Sequence, residues 1–275
     1  MPGRPFPKYN MAFDLDRVRR LIREQADGLA GRLSSLSDAD WERSTVCAEW
    51  NVGDVVAHLA SGVVVQRQSL RRGLEGETSP VFRDAAARAA ITEAKRDLPP
   101  SRKAADYRQE MVELLALFDT LSPSDLETPA WHQSGVHPVR WFLLQRLGET
   151  TFHRGDIHHG LGDAISYPPD VAEVLLPAYL GRLPRLLQPQ ATDDDLTATI
   201  RFSNAGAVRI ADGHAEYSEH DLPRAADLRL EAEPATLLLV ATGRLHPRDA
   251  LSTGQLGASG DTALVERWRE IFRPL

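Results

Sequence analysis

The spacing of apolar residues changes once along this 275-residue chain, and that change limits its fold more than any other feature. Over the first two-thirds, apolar residues recur three and four apart, the repeat of an amphipathic helix. Phe13–Leu33 is predicted to be helical, with Val18, Leu21, Ile22, Leu29 and Leu33 inward. Asp14 and Asp16 stand at its start, where carboxylates suit the positive end of the helix dipole. A second helix is expected from about Val52, after the polar turn Glu49–Asn51, with Val55, Val56, Leu59 and Val63 on one face. A third spans Ala104–Leu121 and a fourth Val139–Gly160. The stretch Gly73–Arg102 is polar, broken by Pro80, Pro99 and Pro100, and reads as a long connection with one short helix. Pro123, Pro129 and the segment QSGVHP form the next connection. Four long amphipathic helices joined in this way predict a four-helix bundle.

Beyond Leu196 the pattern becomes alternating. LTATIRFS (Leu196–Ser203), AVRIA (Ala207–Ala211) and DLRLE (Asp227–Glu231) read as strands, with Gly206 and Gly213 as turns. Ala235–Ala241 after Pro234 and Thr262–Phe272 read as helices. The fold class is therefore α+β, a helical N-terminal domain followed by a smaller α/β domain. The prolines 168, 169, 184 and 189 and the acidic run TDDD mark the boundary zone, in which Val171–Leu187 is itself helical. We set the domains at residues 1–188 and 189–275.

Composition removes several function classes. The net charge is −7 and no dense basic patch is present, which argues against nucleic-acid binding. The longest apolar run, within Thr236–Thr242, is far short of a membrane span. The N-terminus carries two Arg, three Pro and no apolar core, unlike a secretory signal. A single cysteine, Cys47, forms no internal disulfide, so a reducing, cytoplasmic setting is expected.

The segment ETTFH, Glu149 to His153, carries the chemistry. A spacing of four puts the carboxylate and the imidazole on one helix face. His58 sits in the apolar stretch VVAHLA, where a plain core position would hold Leu or Val, and it is the candidate third ligand from another helix. Two His and one carboxylate leave an open position on a divalent cation, the arrangement of catalytic rather than structural zinc sites. The plainer reading is a solvated Glu–His pair and a satisfied core histidine. Asp156, three residues past His153, can accept that ring's outer N–H, or it can be an exposed carboxylate paired with an Arg. Cys47 precedes the second helix and reads as a small, inert thiol rather than a nucleophile. The remaining His residues, 132, 137, 158, 159, 214, 220 and 246, have no ligand spacing. Neither a phosphate-binding glycine loop nor a Gly-x-Ser-x-Gly elbow is present.

Three segments resemble one family in the right order. TVCAEWNVGDVVAHLASG (Thr45–Gly62) and GETTFHRGDIHHGLG (Gly148–Gly162) resemble the two bundle signatures of the mycothiol-dependent maleylpyruvate isomerase-like proteins, a branch of the DinB-like metal-binding bundles. ATGRLHPRDALSTGQLGASGD (Ala241–Asp261) is similar to their C-terminal domain, itself similar to sterol carrier protein 2. The resemblance implies His58, Glu149 and His153 as ligands of a divalent metal, zinc by preference, with mycothiol as thiol co-substrate. It also implies a basic residue of the second domain near the cleft, which we assign to Arg244 ahead of Arg248. Two positions depart from the pattern: Asp-Ile-His-His after Gly155, and Gln255 where a basic residue is frequent.

A free thiol has a pKa near ~8.5, and a coordinating cation removes its proton. The expected partners are thus a small-molecule thiol and an electrophile, with no nucleic acid and no membrane. The long Gly73–Arg102 insertion places an S-transferase or thiol-exchange enzyme ahead of a cis–trans isomerase of a maleylpyruvate-like acid. A zinc hydrolase is a third reading, though no His-Glu-x-x-His supplies its acid–base group. A non-enzymatic carrier is a fourth, and it requires a long apolar tunnel within residues 195–275.

Overall fold

A computed structural model of the chain describes residues 13–189, 191, 196–219 and 225–275; the acidic TDDD run and His220 lie outside the described residues. Packing divides the chain into two compact units, residues 13–165 and 166–275 among those described.

The first unit is the expected bundle. Its long helices are α1 (Leu15–Leu33), α3 (Val52–Leu74), α5 (Pro100–Thr120) and α6 (Val139–Gly160), with a single turn, α2 (Asp38–Trp41), between the first two. Helices α1 and α3 each pack against both α5 and α6, so the four form a closed ring. Local chemistry sets the ends. Asp14 accepts the N–H of Arg17 at the start of α1. Asn51 and Asp54 cap α3 reciprocally, each side chain accepting the other's backbone N–H. Helix α6 is buried on nearly every side, from Val139 to Gly160.

The insertion carries the one short helix expected of it, and two other elements of this unit differ from the sequence expectation. The insertion contains a twelve-residue helix, α4 (Ala85–Arg96), which buries none of its residues. Polar links hold it: Thr92 Oγ1 donates to Ser61 Oγ (3.0 Å), Lys95 pairs with Asp106 and Glu110, and Arg96 pairs with Asp54. Helix α5 begins at Pro100 rather than Ala104, because proline is favoured at the first helical position. The segment expected as plain connection is a hairpin, β1 (Pro129–His132) against β2 (Gly135–Pro138), and Ala130 in it approaches α3 at Gly73. A Cβ at Gly73 would lie 2.6 Å from that of Ala130, so the close approach requires glycine.

The second unit opens with α7 (Pro169–Leu180), which packs on α8 (Pro234–Ala241). The division by packing therefore falls before α7, earlier than the boundary set at residue 188. The sheet comprises β3 (Ala198–Phe202), β4 (Gly206–Ala211), β5 (His214–Ser218), β6 (Leu228–Glu231) and β7 (Gly257–Gly260), in the order β5-β4-β3-β6-β7. Only the β3–β6 pair is parallel. Ile200, Phe202, Val208, Ile210, Leu228 and Leu230 form its buried face. Helix α9 (Pro247–Ser252) precedes β7. The expected last helix is two short ones, α10 (Ala263–Glu266) and α11 (Trp268–Ile271), separated at Arg267. A cavity lined by Leu183, Val240 and Trp268 measures about 10 Å³, room for about one water and not for an acyl chain. Among the described residues, no helix is long and apolar enough to cross a membrane.

Candidate metal centre

Helices α3 and α6 bring His58, Glu149 and His153 together. Their donor atoms all lie within 4.8 Å of one another. Glu149 Oε2 stands 3.4 Å from His58 Nε2 and 3.6 Å from His153 Nε2, and the two imidazole centroids are 5.1 Å apart. These separations are long for hydrogen bonds. A tetrahedral cation with metal–ligand distances of about 2.0–2.1 Å sets neighbouring ligands ~3.3 Å apart, so Glu149 stands at ligand spacing from both imidazoles. The side chains of His58 and Glu149 are each 28% exposed, which leaves the centre accessible from one side.

The other nitrogen of His153 is occupied. Its Nδ1 lies 2.9 Å from Asp156 Oδ2, and the Asp156 side chain is fully buried. The ring therefore donates Nδ1–H to Asp156, the second contact that metal-binding histidines usually make, and turns its Nε2 toward Glu149 and His58. Asp156 is thus the acceptor proposed from the sequence, not a surface carboxylate.

Cys47 stands beside the triad, a placement the sequence did not indicate. It donates S–H to the same Asp156 oxygen at 3.3 Å and lies 3.8 Å from His153 Nδ1. It stands on the Nδ1 side of the ring, away from the Nε2 that faces the triad, so it does not fill the open coordination position. The loop carrying it is braced by backbone bonds, Trp50 N–H to Cys47 O and Thr45 N–H to Trp50 O. Glu49 sits in that turn at φ 65°, a region that costs a non-glycine residue about 1–2 kcal/mol. The turn delivers Trp50, whose ring centroid lies 4.9 Å from that of His58. No local sequence signal links Cys47 or Trp50 to a helix a hundred residues away.

Charges in the centre are strongly perturbed. For Glu149, burial alone would raise the carboxyl pKa. The hydrogen bond with His58 and the charges of His153, His58 and Arg146 outweigh it and hold the group well below the usual carboxylate range. For His153, burial alone would lower the pKa. The bonds to Asp156 and Cys47 and the charges of Glu149 and Asp156 outweigh that and lift the ring to about 9. Deeper in the bundle, the buried Arg146 donates Nε–H to Gln66 Oε1 at 2.7 Å.

Of the remaining residues picked from the sequence, Arg244 and Arg248 belong to the second unit. Arg244 stands in the turn after α8 of the second unit, its N–H donating to Leu239 O. Arg248 pairs with Glu266 at 3.3 Å. His158 faces Asp163 at 3.6 Å, outside the triad. A cleft of about 620 Å³ adjoins the triad at His58; Trp50, Phe82 and Trp131 give it aromatic walls and α4 forms one side.

Residues 22–158 match the mycothiol maleylpyruvate isomerase N-terminal domain family, and residues 177–273 match the SCP-2 sterol transfer family. The chain belongs to the mycothiol-dependent maleylpyruvate isomerase-like enzymes. Members of this family in solved structures share its fold. The mycothiol-dependent maleylpyruvate isomerase is 15% identical, with a TM-score of 0.63 over 90% of this chain and 93% of that one. A histidine-to-alanine mutant of that isomerase is 14% identical, with the same TM-score and the same coverage. No curated protein sequence matches the chain. The family assignment covers both units, as the three sequence segments implied.

Proposed function

We propose that the chain is a metal- and mycothiol-dependent cis–trans isomerase of a conjugated unsaturated keto acid. The observation that carries this reading is the three-donor cluster of His58, Glu149 and His153, open beside a cleft in a chain of this family. These three residues would hold a divalent cation, zinc by their chemistry, which when bound takes the proton from a thiol and keeps the sulfur nucleophilic at neutral pH. Asp156 fixes the tautomer of His153. Glu149, held as a carboxylate, supplies the negative charge that suits a dication. Trp50 shields the His58 ring from water. The reaction adds the thiol sulfur to a cis double bond conjugated to a carbonyl, allows rotation about the resulting single bond, and eliminates the sulfur in the trans geometry. Atoms and electrons are unchanged overall.

The S-transferase placed first from the sequence becomes the second reading, because the family match favours isomerisation. The size of the cleft still supports it. A single cysteine and a thiol co-substrate favour a reducing, cytoplasmic location.

The test uses the zinc-loaded protein with mycothiol and cis-unsaturated keto acids, maleylpyruvate first. Thiol-dependent appearance of the trans acid is expected. Accumulation of an S-conjugate instead would establish the transferase. Metal analysis of His58→Ala and His153→Ala should show loss of the cation, and metal content equal to the wild type in both would remove the proposed centre.

A further inference from the structure

The cleft beside His58 has a lining that specifies what fits it. Its polar side chains are already engaged. Asp84 accepts the N–H of Ala87 at the start of α4 and pairs with Arg83. Thr92 donates to Ser61, and Glu93 pairs with Arg96. What faces the space is aromatic. Phe82 and Trp131 stand edge to face with centroids 6.4 Å apart, and Trp50 closes the end next to His58. A polyhydroxylated ligand needs free donors and acceptors, and this wall offers few. A planar apolar group needs aromatic neighbours, which the Phe82–Trp131 pair and Trp50 supply.

One charge in the lining is unbalanced. Arg88 donates from Nη1 to Gln133 Oε1, a neutral amide, and no carboxylate among the described residues lies within ion-pair distance of it. Among the described residues it is the sole Arg or Lys lining the cleft. The wall therefore matches one carboxylate rather than two.

Resting on the isomerase reading above, we propose that the preferred electrophile is an aryl-substituted unsaturated keto acid with one carboxylate, ahead of a short dicarboxylic one. Its ring lies between Trp131, Phe82 and Trp50. Its carboxylate meets Arg88, and its double bond is directed toward the open side of the triad. Arg88 and the aromatic side chains set specificity and take no part in the chemistry.

The test separates binding from turnover. The zinc-loaded protein, without thiol, is titrated calorimetrically with trans-cinnamate, cinnamamide and fumarate. Cinnamate is expected to bind at least about tenfold more tightly than fumarate. Trp131→Ala should weaken cinnamate by about tenfold, with Phe82→Leu as a second variant if the first misfolds. Arg88→Gln should abolish the preference for cinnamate over cinnamamide. Cinnamate affinity should survive chelation of the metal and saturation with mycothiol. Equal or tighter binding of fumarate, indifference to both aromatic variants, dependence on the metal, or displacement by mycothiol would each overturn the proposal. Failure of thiol-dependent isomerisation with cinnamate binding intact would instead overturn the isomerase reading and leave the aryl-acid site in place.

Discussion

Loading the centre with metal should expel a proton from His153, and Asp156 governs how completely. In the metal-free chain the ring's pKa stands at about 9. At pH 7.5, about 97% of the rings then carry a proton on each nitrogen. A cation needs the Nε2 lone pair, so binding displaces close to one proton from this residue. Between pH 7 and 9 the apparent affinity should rise about tenfold per pH unit, roughly 2.7 kcal/mol in all, and level off above that range. Asp156→Asn removes the buried charge that supports the proton while nearly preserving shape. The variant should release clearly less than one proton at pH 7.5, and its affinity should depend less on pH. Above pH 9 the ring is neutral in both proteins. There the variant should bind about 10–100-fold more weakly, the usual cost of disturbing the group behind a ligating histidine. Calorimetry in buffers of different ionisation enthalpy counts the protons, and competition with a chromophoric chelator gives the affinity. A wild type that releases no proton, or a variant that matches it in both proton count and high-pH affinity, would refute the role given to Asp156.

The same shifts give the metal-free protein a pH-dependent stability. The contribution of His153 is complete below its usual 6.5 and disappears as pH rises through about 9, at most about 3 kcal/mol. Glu149, held low, contributes above its usual 4.5 and loses that contribution as pH falls below it. Urea midpoints of chelated protein should decline from pH 6.5 to 9, and a flat profile would count against the buried His153–Asp156 pair. Gln66→Ala removes the acceptor at 2.7 Å from the buried Arg146 and should cost about 1.5–3 kcal/mol by equilibrium unfolding. Gly73→Val forces the β1–β2 hairpin off α3 and should cost about 1–3 kcal/mol, read from the same denaturation curves.

The bundle and the meeting of Glu149 with His153 were legible because each rests on a local rule. Helical spacing exposes α1, α3 and α6, and a spacing of four aligns Glu149 with His153. What the sequence concealed depends on distant partners. Cys47 and Trp50 reach the centre through a turn whose Glu49 adopts a conformation more usual for glycine, which no propensity announces. The strand β5 (HAEYS) is an edge strand with little burial, so its alternation is faint. The strand β7 (GASG) pairs with β6 through backbone alone. The short helix expected within the Gly73–Arg102 connection is α4, whose bounds the sequence left open because none of its residues is fully buried. The aromatic cleft draws on three separate segments, and no single stretch of chain displays it.

That absence of burial in α4 has a practical meaning. The stability of the scaffold resides in α1, α3, α5 and α6, whereas the roof over the cleft is attached by exchangeable ion pairs and a hydroxyl contact. Those pairs are part-buried, and the exposed helix positions Ala86, Ala89, Ala90 and Ala94 carry no such link. The exposed positions within residues 85–96 can therefore be rewritten or recharged to admit different molecules while α1, α3, α5 and α6 stay folded, which makes this segment the natural place to alter what enters the cleft.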